Sequence, residues 1–140
     1  IIITHNNLGP EGIKILATSR SLPKIDYLHL GSNSLGDAGA ESIATCKIFS
    51  EVKTLNLEQN GITARGAKAL ATSSVLTKLT SLNLVDNKIG DLGALAIANS
   101  DTLSNLTYLH LGGNQIKSEE AKKALRESKK LSQLEKLKVF

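Results

Sequence analysis

A repeating pattern runs through the chain with a period of about 27 residues and constrains its fold more than any other feature. The pattern [LI]-x-[LI]-x-x-N-x-[LI] occurs five times at even spacing. The copies begin at Ile1, Leu28, Leu55, Leu82 and Leu109. A sixth strand pattern, Leu134–Leu137–Val139, follows one position later than the period predicts. One unit of this length cannot bury its own apolar face, so the copies must stack against one another.

Each position of the period has a structural role. Apolar residues two apart place their side chains on one strand face, toward the core. The Asn after each strand carries donor and acceptor groups that can satisfy turn backbone. We therefore expect a buried polar ladder of Asn6, Asn33, Asn60, Asn87 and Asn114. The segments "GDAGA" and "GDLGA" then begin helices, with Asp37 and Asp91 suited to the first turn.

These columns predict an α/β solenoid. Parallel β-strands line its concave face and α-helices cover its convex face, in about five and a half repeats of about 27–28 residues over positions 1–140. A hydrophobic content of 41% with 21% charged residues is ordinary for a globular protein. The chain contains no Met and opens directly on strand residues. We therefore expect a single domain that is a fragment lacking its N-terminal cap.

The same residues resemble the leucine-rich repeat, L-x-x-L-x-L-x-x-N-x-[LI]. The helical part is similar to the ribonuclease-inhibitor-like subclass, which includes NOD-like receptor arrays. More narrowly, "GAKALA" (Gly66–Ala71), with its variants "GAESIA" and "GALAIA", resembles the GALA repeats of bacterial effector proteins. The resemblance implies a protein-binding module. By analogy with ribonuclease inhibitors, binding would cover the active site of an enzyme.

The resemblance also leaves alternatives for the wider role of the chain. Similarity to GALA repeats implies a bacterial effector that is secreted into the host cell cytoplasm. No F-box-like segment is present, so recruitment of a ubiquitin ligase is not implied by these residues. The alternative is a regulatory or ligand-sensing repeat array within a larger signalling or ubiquitin-ligase protein, as in NOD-like receptors.

A binding site in this architecture would lie on the outward strand residues of the concave face. Both tyrosines and all three histidines of the chain fall on that face. Interfaces favour Tyr over Lys or Ser, although Tyr also suits strands for purely structural reasons. The predicted partner-binding residues are Tyr27, His29, Asn56, Glu58, Asn83, Val85, Asp86, Tyr108 and His110.

The spacing of reactive groups argues against metal binding and catalysis. His29 and His110 share a column three repeats apart, which corresponds to about 14 Å, too far to share one zinc ion. Cys46 lies at a helix end, away from every His, and is expected to be a half-buried filler. Glu58 and Asp86 lie on adjacent strands and are expected to come close, without a surrounding acid–base set. We predict no enzyme, no metal and no cofactor.

Charge and hydropathy indicate which classes of partner the chain can bind. The net charge of +4 arises entirely after Ile116, in a segment that holds eight Lys and Arg against four Glu. Those charges alternate in sign and lack interleaved aromatics, so a solvated helix is favoured over a nucleic-acid surface. No apolar run reaches the ~20 residues of a membrane span. One cysteine favours a reducing, cytoplasmic setting. We expect a monomer whose partner is another protein: a host protein, another bacterial effector or an enzyme.

Overall fold

The structure is a computed structural model that describes residues 1–19 and 22–140. Within these residues, five parallel strands form one sheet in chain order. The strands are β1 (Tyr27–His29), β2 (Thr54–Asn56), β3 (Ser81–Asn83), β4 (Tyr108–His110) and β5 (Lys136–Lys138). The helices are α1 (Gly9–Thr18), α2 (Gly36–Thr45), α3 (Ala64–Ala71), α4 (Gly90–Ala98) and α5 (Glu119–Arg126). A short 3-10 helix covers Lys47–Phe49.

Strands and helices alternate along the chain, which confirms the predicted α/β solenoid. Successive strands pair in register, with Leu28 opposite Leu55 and Leu55 opposite Leu82. Of the six expected strands, the first is reduced to a single bridge between Ile2 and His29. The sixth forms β5 and pairs with β4.

The core lies between the sheet and the helical layer. The middle leucines of β1 to β4 are fully buried, whereas the residues on either side of each point outward. The helices contribute small side chains that allow close packing of neighbours. A Cβ added at Gly93 would lie 2.3 Å from Ile89 Cγ2 and 3.2 Å from both Ala64 Cα and Ala67 Cβ, so a larger residue would displace the Ile89 side chain and push against α3.

The predicted asparagine ladder is present in four of the five positions. Asn33, Asn60, Asn87 and Asn114 are each at most 3% exposed. Each side chain accepts backbone N–H groups from the preceding coil, as Asn87 does from Asn60 (3.1 Å) and Ile62 (2.9 Å). The prediction was wrong for Asn6, whose side chain is exposed and donates only to the nearby Thr4 carbonyl. Within the described residues, no coil packs on the outer side of Asn6.

The aspartates at the helix starts accept hydrogen bonds from the backbone of the following coil. Asp37 lies in the first turn of α2, as expected. Its carboxylate accepts the N–H groups of Thr63 (2.8 Å) and Gly66 (2.9 Å) at the start of α3. Asp91 accepts the N–H groups of Lys117 and Ser118 before α5 in the same way. Burial opposes ionisation of Asp37, but the Thr63 and Gly66 hydrogen bonds outweigh it, so the pKa of Asp37 is lowered.

A column of serines ties each helix end to the next coil. The hydroxyls of Ser73, Ser100 and Ser128 donate to the carbonyls of Ala44, Ala71 and Ala98. Each hydroxyl also accepts a backbone N–H two or three residues further along its own chain segment. Cys46 occupies this column and is half-buried, as expected.

Candidate functional site

The concave face is built from the outward residues on either side of each buried strand leucine. Parallel pairing aligns these residues in rows that cross the strands. One row contains Tyr27, Thr54, Ser81, Tyr108 and Lys136. The central row contains Ile2, His29, Asn56, Asn83, His110 and Lys138. All six predicted site residues within the strands therefore lie in two adjacent rows of one surface.

Glu58 is the centre of a hydrogen-bonded group on this face. Its carboxylate accepts the side-chain amides of Asn83 (3.0 Å) and Asn56 (3.4 Å). Its other oxygen lies 3.6 Å from Nε2 of His29. Asn56 Oδ1 in turn accepts the Glu58 backbone N–H, and Asn83 Oδ1 accepts that of Val85. The packing thus holds five predicted site residues in one arrangement, with most of their hydrogen-bonding groups already oriented.

A glycine makes room for this arrangement. A Cβ at Gly31 would lie 2.9 Å from Glu58 Cγ and 3.1 Å from His29 Nε2, so any larger residue would displace both side chains. The Nε2 atom of His29 is buried and has no hydrogen-bond partner, which sets it apart from the other buried side-chain nitrogens and oxygens of residues 1–19 and 22–140. A buried polar atom without a partner is unfavourable, and the Glu58 oxygen 3.6 Å away is placed to become its acceptor after a small side-chain movement.

Asp86 lies at the turn that follows β3 and does not join Glu58. Its carboxylate accepts Nε2 of Gln59 at 3.3 Å, and Gln59 accepts the hydroxyl of Ser32 at 2.9 Å. The structure therefore gives Glu58 and Asp86 separate hydrogen-bond partners. Asp86 has a left-handed backbone with a φ of 52°. A Cβ at Gly113 would collide with its carboxylate, so the glycine keeps this edge of the face open.

A second group forms around β4. The hydroxyl of Tyr108 lies 3.4 Å from Nδ1 of His110, and the two rings meet edge to face at 6.3 Å. The ammonium of Lys136 lies 5.9 Å from the centre of the Tyr108 ring. Burial and the charge of Lys138 lower the pKa of His110, against the smaller opposing effects of Asp86 and Glu58. His110 is therefore a neutral hydrogen-bonding group near pH 7.

The remaining site residues are not gathered into one cluster. Tyr27 is 42% exposed on β1, three strands away from Tyr108. The predicted site thus contains a polar group around Glu58 and an aromatic group around Tyr108, with Tyr27 and Asp86 outside both. Sequence reasoning did not select Gln59, Lys136 or Lys138 as site residues. Their signal was present in the repeat, because each shares a column with a selected residue.

Metal-ion clusters and membrane-spanning helices are both absent from the described residues. In residues 1–19 and 22–140, no three His, Cys, Asp or Glu side chains converge closely enough to hold a metal ion. No helix in that part of the chain is both long and apolar enough to cross a bilayer.

The family model for the leucine-rich repeat matches residues 21–44, 52–71, 75–98 and 102–122, which is more than half of the chain. The chain belongs to the leucine-rich repeat family. Leucine-rich repeats are protein-interaction modules and are typically not catalytic. No curated protein matches the sequence.

Family membership agrees with how this leucine-rich repeat protein distributes its residues. In the coils of β1 to β4, the leucines and asparagines that make the family pattern are buried and stabilise the stack. The columns between them vary from coil to coil and are those that carry Glu58, Tyr108 and the histidines. Any specificity of this protein therefore has to come from the variable columns.

Proposed function

We propose that this leucine-rich repeat domain binds a folded protein on its concave face. The observation that carries the proposal is the Glu58 group, in which the side-chain amides of Asn83 and Asn56 hold a partly exposed acceptor carboxylate in place on the concave face. Preorganised polar groups lose little conformational freedom on binding, which favours affinity. A stable complex would bury about 800 Å² on this side.

The finer role that we propose is inhibition by a bacterial effector. The resemblance of the helices to GALA repeats supports an effector that acts in a host cell, on a host protein or on another effector. The resemblance to ribonuclease inhibitors supports a mode of action in which the concave face covers the active site of a partner enzyme. The chain is proposed to act as one domain over residues 1–140.

The test compares binding by variants of the two faces. The concave variant is Tyr27→Ala/His29→Ala/Tyr108→Ala/His110→Ala, and the control is Glu11→Ala/Lys14→Ala/Glu41→Ala/Lys123→Ala on the helices. Proteins captured from host and bacterial lysates are quantified by mass spectrometry. We expect the concave variant to lose a partner that the native protein and the control retain. Equal capture by all three, with unchanged thermal unfolding, would move the site away from the concave face.

Inhibition is tested separately once a partner is captured. If the partner is an enzyme, its turnover is measured with and without a molar excess of the leucine-rich repeat protein. Loss of turnover that the concave variant does not cause supports occlusion. Full turnover in the complex would leave the binding function in place and refute the inhibitory role.

A further inference from the structure

The charges of the concave face are separated along the solenoid. The outward rows and the turn positions that follow them carry four charged side chains: Glu58 and Asp86 near the middle of the sheet, and Lys136 and Lys138 on β5. We propose that the face recognises a partner protein segment whose charges are complementary to its own. A cationic side chain of the segment would lie over Glu58 and Asp86, and a carboxylate would lie over β5. This inference rests on the proposed binding function and specifies the chemistry of its partner.

The middle of the face, which we call the acidic centre (Glu58 and Asp86), keeps its negative charge. The groups that hold the two carboxylates are neutral amides of Asn56, Asn83 and Gln59. Among the described side chains, no Lys or Arg forms an ion pair with either carboxylate. The titratable groups that interact with them include His29, 3.6 Å from Glu58, and His110, on which both carboxylates act electrostatically. The amides orient the carboxylate oxygens but do not neutralise their charge. A cationic side chain of the partner would supply the neutralising charge.

The end of the face, which we call the basic edge (Lys136 and Lys138), is similarly uncompensated. Both residues are exposed, and in the part of the chain that the structure describes neither forms an ion pair with a carboxylate. Lys136 lies over the ring of Tyr108 instead. His110, the neighbour of Lys138 in the central row, is neutral near pH 7 because burial and Lys138 lower its pKa. The positive charge of the basic edge therefore belongs to the two lysines.

The spacing lets the two ends act independently. Asp86 and Glu58 belong to the coils of β3 and β2, two and three strands from β5, which corresponds to about 10–14 Å. Dissolved salt screens exposed charges that are farther apart than the Debye length, which is about 8 Å at physiological ionic strength. The acidic centre and the basic edge therefore attract each other only weakly, and each stays available to a partner. An extended segment crosses that distance in three to four residues at about 3.3 Å each. A nucleic acid does not fit this pattern, because its phosphates would meet the acidic centre.

The experiment uses two synthetic heptapeptides of identical composition. The polar peptide has two arginines, a three-residue Gly/Ser spacer and two aspartates, which places opposite charges about 13 Å apart when extended. The mixed peptide contains the same residues with arginine and aspartate alternating. Binding of each to the full chain is followed by NMR titration of backbone amides at about 0.15 M salt, where the Debye length above applies. From four contacts of ordinary surface strength, we expect the polar peptide to bind about tenfold more tightly.

Neutralising variants assign the preference to the two ends. In Glu58→Gln/Asp86→Asn and in Lys136→Gln/Lys138→Gln, the preference for the polar peptide should disappear. The control for the acidic pair, Glu11→Gln/Asp101→Asn, changes the net charge equally on another surface and should keep it. Equal affinities for the two peptides, absence of binding, or shifts that map to the helices would each overturn the inference.

The inference and the proposed function can fail separately. If a captured partner is lost by the Tyr27/His29/Tyr108/His110 variant but retained in full by both neutralising variants, the concave face binds a protein without reading this charge pattern. If the partner is retained by every variant, the concave face is not the binding surface and both proposals fail.

Discussion

The asparagine ladder provides a direct test of what holds the stack together. Asn87 Oδ1 is the acceptor for two buried backbone N–H groups of the preceding coil, those of Asn60 and Ile62. Within the described residues, neither N–H has another acceptor. The substitution Asn87→Ala removes that acceptor while leaving the apolar core in place.

The expected cost follows from the two orphaned donors. Leaving one buried N–H unpaired costs about 1–3 kcal/mol, so the free energy of unfolding should fall by about 2–6 kcal/mol. A domain of this size has about 5–15 kcal/mol in total. Asn6→Ala is the matched control, because the Asn6 side chain is exposed and bonds only to its own turn. Its cost should stay below about 0.5 kcal/mol, as for ordinary surface substitutions.

Two measurements check this reasoning. Urea unfolding followed by circular dichroism gives the loss in the free energy of unfolding for each variant. Amide hydrogen exchange should show lost protection at Asn60 and Ile62 in Asn87→Ala before it shows loss elsewhere. Equal destabilisation by Asn87→Ala and Asn6→Ala, or unchanged exchange at the two amides, would refute the view that this ladder connects the coils.

Three further predictions concern contacts between coils and the titration of the concave face. Asp37→Ala should lower the free energy of unfolding by about 1–3 kcal/mol at pH 7. Because the folded pKa of Asp37 is lowered, this stabilisation is present above its ordinary value of 3.8 and is lost as the pH falls through the folded value, so the native and variant unfolding curves should converge in acid. Cys46→Ser should raise the free energy of unfolding by about 0.5–1.5 kcal/mol in chemical denaturation. The new hydroxyl can donate to the carbonyl of Ala17, as Ser73 and Ser100 donate to the alanine carbonyls of the coils before them. A loss of stability would contradict this prediction. Lys138→Gln should raise the pKa of His110 in an NMR titration. The folded pKa of His110 lies below its ordinary value of 6.5, so its contribution to stability is present above pH 6.5 and is lost as the pH falls through the folded value. An unchanged His110 titration in the variant would exclude Lys138 as a cause of the lowered pKa.

The repeat predicted the coarse fold because its information is local. Apolar residues two apart in a strand and small residues in the "GAKALA" helix recur in successive copies of the period, and stacking is the way to bury them all. The same register placed Tyr27, His29, Tyr108 and His110 on one face, since parallel in-register pairing aligns equivalent columns.

The contacts between coils could not be read from the columns. The period placed Asp37 in the first turn of its helix, but it did not show that the stacking offset brings the carboxylate to Thr63 and Gly66 in the next coil. Asn6 matches the ladder pattern yet stays exposed, because its environment depends on what packs beside it.

The sequence by itself determined the solenoid and the surface on which variable residues lie. Only the tertiary structure decided that Glu58 joins Asn83 and His29 while Asp86 joins Gln59. The physical reason is the range of the interactions. The apolar residues of the repeat stabilise the fold by burial at many equivalent positions, so the pattern of the whole sequence predicts it. A hydrogen bond requires two particular side chains within about 3.5 Å of each other. Side-chain conformation and the space left by a neighbouring glycine decide whether they come that close.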